Sequence, residues 1–354
     1  MRSFARDYDL DSLKVIETEG NDLRLNAAGR DLAFTNWSFG QLASTIGAPA
    51  AYLRKLPAEL AARNIRHGLE ATRADSQKRD MNKLLMIRPT DGGPGWDLPA
   101  TLQAVTSPTY GRIWDADVIA LAQRIVADHP QFHNPKAYTA GGVARPQGLY
   151  ASDHDVFCFL IDGGSQLEAG LDAYGNADTL HRGFFLSNSE TGAATFSLAT
   201  FYFRTICGNH IVWGAENVTR MTLRHSKGGP QRFESEALPE LLSYVQSTAR
   251  NEETAFKAAR EYLLPADADK VLDLCARFKL TRPEVRDAIA VAKHEEGDCR
   301  NLWQLLAGFT ASARDMQFAD ARLDLERRSS RLLDLVRGAT PPESVTVPAL
   351  PSSN

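Results

Sequence analysis

The chain has 354 residues, 43% of them hydrophobic and 24% charged, and a net charge of −4. That length buries a sizeable core and leaves room for two or three domains. The balance excludes a protein that coats nucleic acid over its whole surface, and no run reaches the roughly 18 apolar residues of a membrane helix.

Residues 1–36 predict short strands at KVIET and DLAFT, separated by Gly-Asn-Asp and Gly-Arg-Asp turn signals. Ser38 is placed to cap a helix at FGQLASTIG, Pro49 to open a second at AAYLRKL and Pro57 a third reaching Arg73. On the third, Arg63, Arg66 and His67 share roughly one face, which suits tracking a phosphate backbone. MNKLLMIRP and LPATLQAVTS predict strands on either side of a Gly- and Pro-rich loop at 91–95, and a helix follows from Asp115 to Ala127. Tyr110-Gly-Arg112-Ile-Trp114 puts aromatics beside an arginine, the composition of a base-stacking platform.

Strands are predicted at LYASDHDVFCFLID and SQLEA, and then comes the stretch around which the chain is organised, HRGFFLSNSETGAATFSLATFYFRTICGNHIVW at 181–213. Two runs of β-formers flank Ser187-Asn188-Ser189-Glu190-Thr191-Gly192, the pattern of a hairpin in which Gly supplies a positive φ. The second run continues apolar without alternation, as in a strand buried on both faces or one passing into a short buried helix. Arg204, Cys207, Asn209 and His210 fall at its end. A glycine-rich basic loop, Arg224 to Pro230, follows. From Phe233 to Arg337 the apolar spacing is helical, through four or five helices broken at Pro265, Pro283 and Gly297. The Pro- and Ser-rich end is expected to be a disordered tail.

Charge is unevenly spread. Residues 151–180 hold six acids and no Lys or Arg, residues 181–232 hold six Lys or Arg against two acids, and residues 54–88 hold nine against four. The two basic islands would make one anion-binding face if the fold joined them, and solvated surface is the bland alternative. Cys207 with His210 has the components of thiol chemistry, and Asp153, Asp155 and His181 those of a divalent site, but neither is a complete motif. P-loop, dinucleotide, nucleophile-elbow and zinc-protease signatures are missing. Four cysteines without CxxC spacing point to reduced thiols, and the charged N-terminus lacks a signal-peptide core, so a cytoplasmic location is expected.

The SNSETG turn followed by FYFRTICGN resembles the signature of the phage- and plasmid-associated family known as domain of unknown function 932. FGQLASTIGAPAAYLRKLPAELAARNI, VTSPTYGRIWDADVI and LWQLLAGFTASA resemble further segments of that family, so the resemblance spans about residues 35–335. His210 stands where the family usually has Gly. Ser107-Pro108-Thr109-Tyr110 replaces its frequent Asp-Arg-Tyr, and no role of that charged pair carries over. The resemblance implies a setting among mobile elements, near replication, recombination or defence genes.

The expectation is therefore an α+β fold in three parts and a tail. Residues 1–79 carry short strands and a helical cluster, 80–232 a mixed, mainly antiparallel sheet, 233–339 an all-helical region and 340–354 the tail. The expected function is a non-catalytic, nucleic-acid-associated accessory protein favouring single-stranded DNA, without metal or cofactor and with homo-oligomerisation open. Its contacts would be Arg63, Arg66, Arg112, Arg204, Arg220, Arg224 and Lys227, and its motif residues Ser187, Asn188, Glu190, Gly192, Cys207 and Asn209. A metal- or thiol-dependent enzyme acting on nucleic acid and a protein-interaction module of a defence or anti-defence system are the alternatives.

Overall fold

The computed structural model describes residues 4–9, 12–17, 22–74, 82–89, 100–135, 138–140, 143–145, 148–172, 174–204, 209–211, 221–246, 250–314, 316 and 319–336. The expected loop at 91–95 and the expected tail lie outside the described residues.

The N-terminal strands are β1 (Phe4–Asp9), β2 (Leu13–Glu17), β3 (Leu23–Ala27) and β4 (Arg30–Phe34). Three helices follow: α1 (Asn36–Thr45), α2 (Ala50–Leu53) and α3 (Ala58–Ala74). Thr35 rather than Ser38 caps α1: each of the two residues receives the other's backbone N–H on its hydroxyl, at 3.0 Å both ways, a reciprocal capping box. On α3, residues 58, 61, 62, 65 and 69 are buried, a stripe at helical spacing that faces the sheet.

Strands β5 (Asn82–Pro89) and β6 (Ala100–Thr106) return to the N-terminal strands, giving the order β1-β5-β6-β4-β3-β2 with only β4 and β6 parallel. An expected domain boundary at 79/80 therefore cuts through one six-stranded sheet. Leu85, Ile87, Leu102 and Val105 face the helices in a shared core with Leu42, Ile65 and Leu69.

After α4 (Asp115–Asp128) comes a second, antiparallel sheet. Its strands are β7 (Phe132–His133), β10 (Leu149–Ala151), β11 (Val156–Leu171), β12 (Ala177–Asn188), β13 (Phe196–Arg204), β14 (Asn209–Ile211) and β15 (Met221–Leu223), with β8 (Tyr138–Ala140) and β9 (Val143–Arg145) pairing separately. All nine residues of β13 are buried, which explains its unalternating apolar run. Leu198, Leu160 and Phe184 pack against α4 and α6, while Phe201, Phe203, Phe159 and Phe185 form an aromatic layer on the opposite face with Leu323.

The remainder is helical: α5 (Gly229–Arg232), a π-turn at Phe233–Ala237, α6 (Leu238–Gln246), α7 (Arg250–Glu261), α8 (Ala268–Ala276), α9 (Arg282–Glu295), α10 (Leu302–Arg314), α11 (Ala319–Ser330) and a 3₁₀ turn at Arg331–Leu335. That exceeds the four or five helices the periodicity predicts. Pro283 opens α9 rather than breaking a helix, since it follows Thr281, whose capping box with Glu284 starts a new one. Trp303, Phe309 and Phe256 centre this region's core, which runs on to Leu167, Leu180 and Tyr202 at the far end of the second sheet. The whole is an α+β fold, and among the described residues no helix is long and apolar enough to cross a membrane.

Candidate functional site

The hairpin between β12 and β13 is buried through the first half of its turn, and only its tip from Gly192 to Thr195 meets solvent. Ser187, Asn188, Ser189, Glu190 and Thr191 are all buried, and Gly192 closes the turn at φ +91° with its N–H on the Ser189 carbonyl. The turn's carbonyls need donors from elsewhere, because buried backbone oxygens without partners are costly. Helix α1 supplies two, Trp37 Nε1 and Gln41 Nε2, both donating to the Thr191 oxygen at 3.2 and 2.9 Å. Gln41 Oε1 accepts the Val105 N–H of β6 at 2.8 Å, so one side chain ties α1, the first sheet and the turn. Tyr110 donates to the Ser189 carbonyl and Arg112 to the Glu190 carbonyl. Asn188 Nδ2 donates to the Ile113 carbonyl at 2.9 Å and to Asp115 Oδ1 at 2.7 Å, and Glu190 Oε2 receives the Asp115 N–H at 3.0 Å. Ser189 and Thr191 hydroxyls both donate to the His154 carbonyl. The turn is the joint between the two sheets.

Arg112 is 7% exposed, lies over the Tyr110 and Trp114 rings at 5.0 and 5.5 Å, and also donates to Met86 Sδ and Thr106 Oγ1. Burial lowers its pKa, and burial raises that of Tyr110. Asp115, at the first turn of α4, is pushed up to about 7 by burial and next by the Glu190 carboxylate. On the outer side, the loop of residues 224–229 lies so close to Gly111 that a Cβ there would sit 1.8 Å from the Ser226 oxygen. The Gly111 N–H donates to the His225 carbonyl, the Ile113 N–H to His225 Nδ1, and the His225 ring stacks on Tyr110 at 5.0 Å. Burial pushes His225 down to about 4, so the ring is neutral at neutral pH.

A second polar centre lies at the far end of β12 and β13. Arg204 is 2% exposed and grips Asp178 through Nε at 2.7 Å and Nη2 at 2.6 Å, and also Glu296. Arg260 and Trp303 Nε1 converge on the same Asp178 carboxylate, with both guanidinium groups over the Trp303 ring.

These positions revise the expected contacts. Arg112 and Arg204 are enclosed by protein partners and present almost no surface to a phosphate, and Tyr202 beside Arg204 is buried against Phe256. Arg63, Arg66, Arg224 and Lys227 are exposed. Among the described residues the two basic islands do not merge: α3, with Arg63 and Arg66, packs on β2, three strands from β6, while Arg88 of the first island turns to the joint, 3.8 Å from Glu190. Arg220, Cys207 and Trp213 lie outside the described residues, and Asn209 and His210 are described only as backbone of β14 opposite Arg204 and Phe203.

His181 pairs with Gln166, whereas Asp155 adjoins Val156, which pairs with Asn188; seven residues of strand, roughly 23 Å, separate them. No group of His, Cys, Asp or Glu able to hold a metal occurs among the described residues. Asp153 and Asp155 instead flank the two ring nitrogens of His154, at 2.6 and 3.1 Å, and that ring stacks on Trp37. Burial raises Cys158 and Cys299 to about 11 and Cys275 to about 12, so these thiols are not nucleophilic at neutral pH. Sequence reasoning missed Trp37, Gln41, Gly111, Asp115 and His225 at the joint, and Asp178, Arg260, Glu296 and Trp303 at the second centre.

No protein-family description, no curated protein and no solved structure matches the chain.

Proposed function

We propose that the chain is a non-catalytic, nucleic-acid-associated accessory protein that binds single strands, with the loop of residues 224–229 as its principal contact. The observation that carries this reading is a rigid basic loop with exposed cations: Arg224 and Lys227 are exposed, while the loop that bears them is pinned to Gly111 and to the Tyr110–His225 stack. Fixed cations beside half-buried aromatics suit a flexible phosphate backbone whose bases are free to stack. Arg63 and Arg66 on α3 add a second, separate contact for a longer strand. The polar residues of the turn are engaged in joining the two sheets, which favours binding over catalysis there. The resemblance to the phage- and plasmid-associated family adds the setting of a mobile element to the same proposal.

With two to four phosphates contacted, binding should weaken by roughly 0.7 log units per contact for each tenfold rise in salt. The test is fluorescence anisotropy of a labelled single-stranded oligonucleotide across a salt series, with duplex DNA as competitor. Single-strand binding with a slope that falls by about one to two contacts in Arg224→Ala with Lys227→Ala supports the proposal. No binding at tens of micromolar protein, or a slope unchanged in that variant, removes it.

A further inference from the structure

Three aromatic rings and a guanidinium stack in a row behind the loop of residues 224–229. The Arg112 guanidinium lies 5.5 Å from the Trp114 ring and 5.0 Å from the Tyr110 ring, and the Tyr110 ring lies 5.0 Å from the His225 ring, within 15° of parallel. The inner members are fixed by the fold. Arg112 is buried with its hydrogen bonds on Glu190, Met86 and Thr106, and the Tyr110 hydroxyl is on the Ser189 carbonyl. Toward the loop, the row ends at His225.

The His225 ring is half-buried, and its surroundings decide which part of it is open. Nδ1 receives the Ile113 N–H at 3.3 Å, Nε2 is shut off from solvent, and one face is taken by Tyr110. What the ring has left for the solvent is its carbon edge and its other face. Burial also keeps the ring uncharged at neutral pH, so that face acts as an aromatic surface rather than as a cation. Arg224 precedes it and Lys227 follows two residues on, both exposed. The backbone beneath is held as well: the Gly111 N–H is on the His225 carbonyl at 3.1 Å, and the Ser226 carbonyl lies against Gly111. A ring already ordered in this way costs little further entropy when a ligand settles on it.

We propose that His225 is the base-stacking residue of this loop: an unpaired nucleobase lies on its outer face and extends the row Trp114, Arg112, Tyr110, His225 by one, while Arg224 and Lys227 take the neighbouring phosphates. The inference rests on the single-strand reading above and adds that the base itself, not the phosphates alone, contributes to affinity. It also accounts for a preference for single strands, since bases stacked within a duplex have no free face to offer. Selection among bases is not expected, because each has a π face.

The test compares two labelled oligonucleotides of equal length and charge on the full chain, an oligodeoxyadenylate and the same backbone with abasic sites, by fluorescence anisotropy. The abasic strand should bind more weakly by roughly five- to a hundredfold, and the ring protons of His225 should move upfield in NMR spectra when the oligodeoxyadenylate is added. His225→Asn keeps an acceptor for the Ile113 N–H but removes the ring, so it should bind both strands alike, with the salt dependence of the wild type. His225→Phe, which keeps a ring, should again tell the two strands apart. The ring-proton shift is read on the wild type and so does not depend on either variant folding. Equal affinity of the wild type for the two strands, or His225 ring protons unmoved by a bound strand, overturns the stacking and leaves single-strand binding standing; no binding of either strand removes both.

Discussion

Two buried polar centres sit at opposite ends of the β12–β13 hairpin, one built from ion pairs and the other mainly from hydrogen bonds to carbonyls. At one end Asp178 and Glu296 meet Arg204 and Arg260, two acids against two cations, in a geometry that uses both oxygens of Asp178. At the other, the turn joins the sheets mainly through hydrogen bonds to its carbonyls, with Asp115 and Glu190 beside Arg112 and Arg88. The first centre is fixed by mutual neutralisation. The second is held mainly by hydrogen bonds to carbonyls, and burial raises its Asp115 carboxyl to about 7. Similar burial thus gives an ion-pair clamp in one place and a hydrogen-bonded joint in the other.

The largest effect is expected on breaking the clamp. Arg204→Ala leaves Asp178 with only Arg260 opposite it and should cost about 3–5 kcal/mol, read as a fall in the denaturant midpoint. Next is Gly111→Ala, whose Cβ would sit 1.8 Å from the Ser226 oxygen; the backbone must part there, at about 1–3 kcal/mol, and the loop of residues 224–229 should lose protection from hydrogen exchange. Third comes Asp115→Asn. Because the folded-state pKa of Asp115 is raised from 3.8 to about 7, the unfolded chain ionises first and wild-type stability should fall as pH rises through that window. Asn removes the effect and should stabilise the protein by about 1–2 kcal/mol at pH 8 while changing nothing at pH 4, measured by denaturation at both values. Gly192→Ala, forced to φ +91°, should cost about 1 kcal/mol. Arg63→Ala, whose pairing with Glu59 is fully on the surface, should shift stability by less than about 0.5 kcal/mol.

The same two centres show what the sequence reveals and what it hides. The SNSETG hairpin, the doubly buried β13 and the helical C-terminal region are legible because each depends on local pattern: turn residues, an uninterrupted apolar run, spacing near 3.6. Strands β1 and β3 escape notice because FARDYD and LRLNA are weak in apolar alternation, and the return of β5 and β6 to the N-terminal strands is a long-range pairing with no local signature. Arginine fate is hidden for the same reason. Arg204 is indistinguishable in sequence from an exposed cation, since its partners stand 26 and 92 positions away, and Arg112 finds Glu190 at 78. Arg224 and Lys227 lie in a Gly-rich loop, where local composition itself favours the exposure the structure shows.

The central claim is a division of labour: the buried residues of the turn hold the fold, and the exposed loop of residues 224–229 meets the outside. One paired measurement tests it, denaturant stability and single-strand affinity in two variants, Asn188→Ala and Arg224→Ala with Lys227→Ala. Asn188→Ala strips the Ile113 carbonyl and Asp115 of a buried donor, so it should lower stability by about 1–3 kcal/mol with affinity of the folded protein retained. The double variant should lose affinity with stability unchanged. Loss of affinity in folded Asn188→Ala, or full affinity in the double variant, would contradict the account.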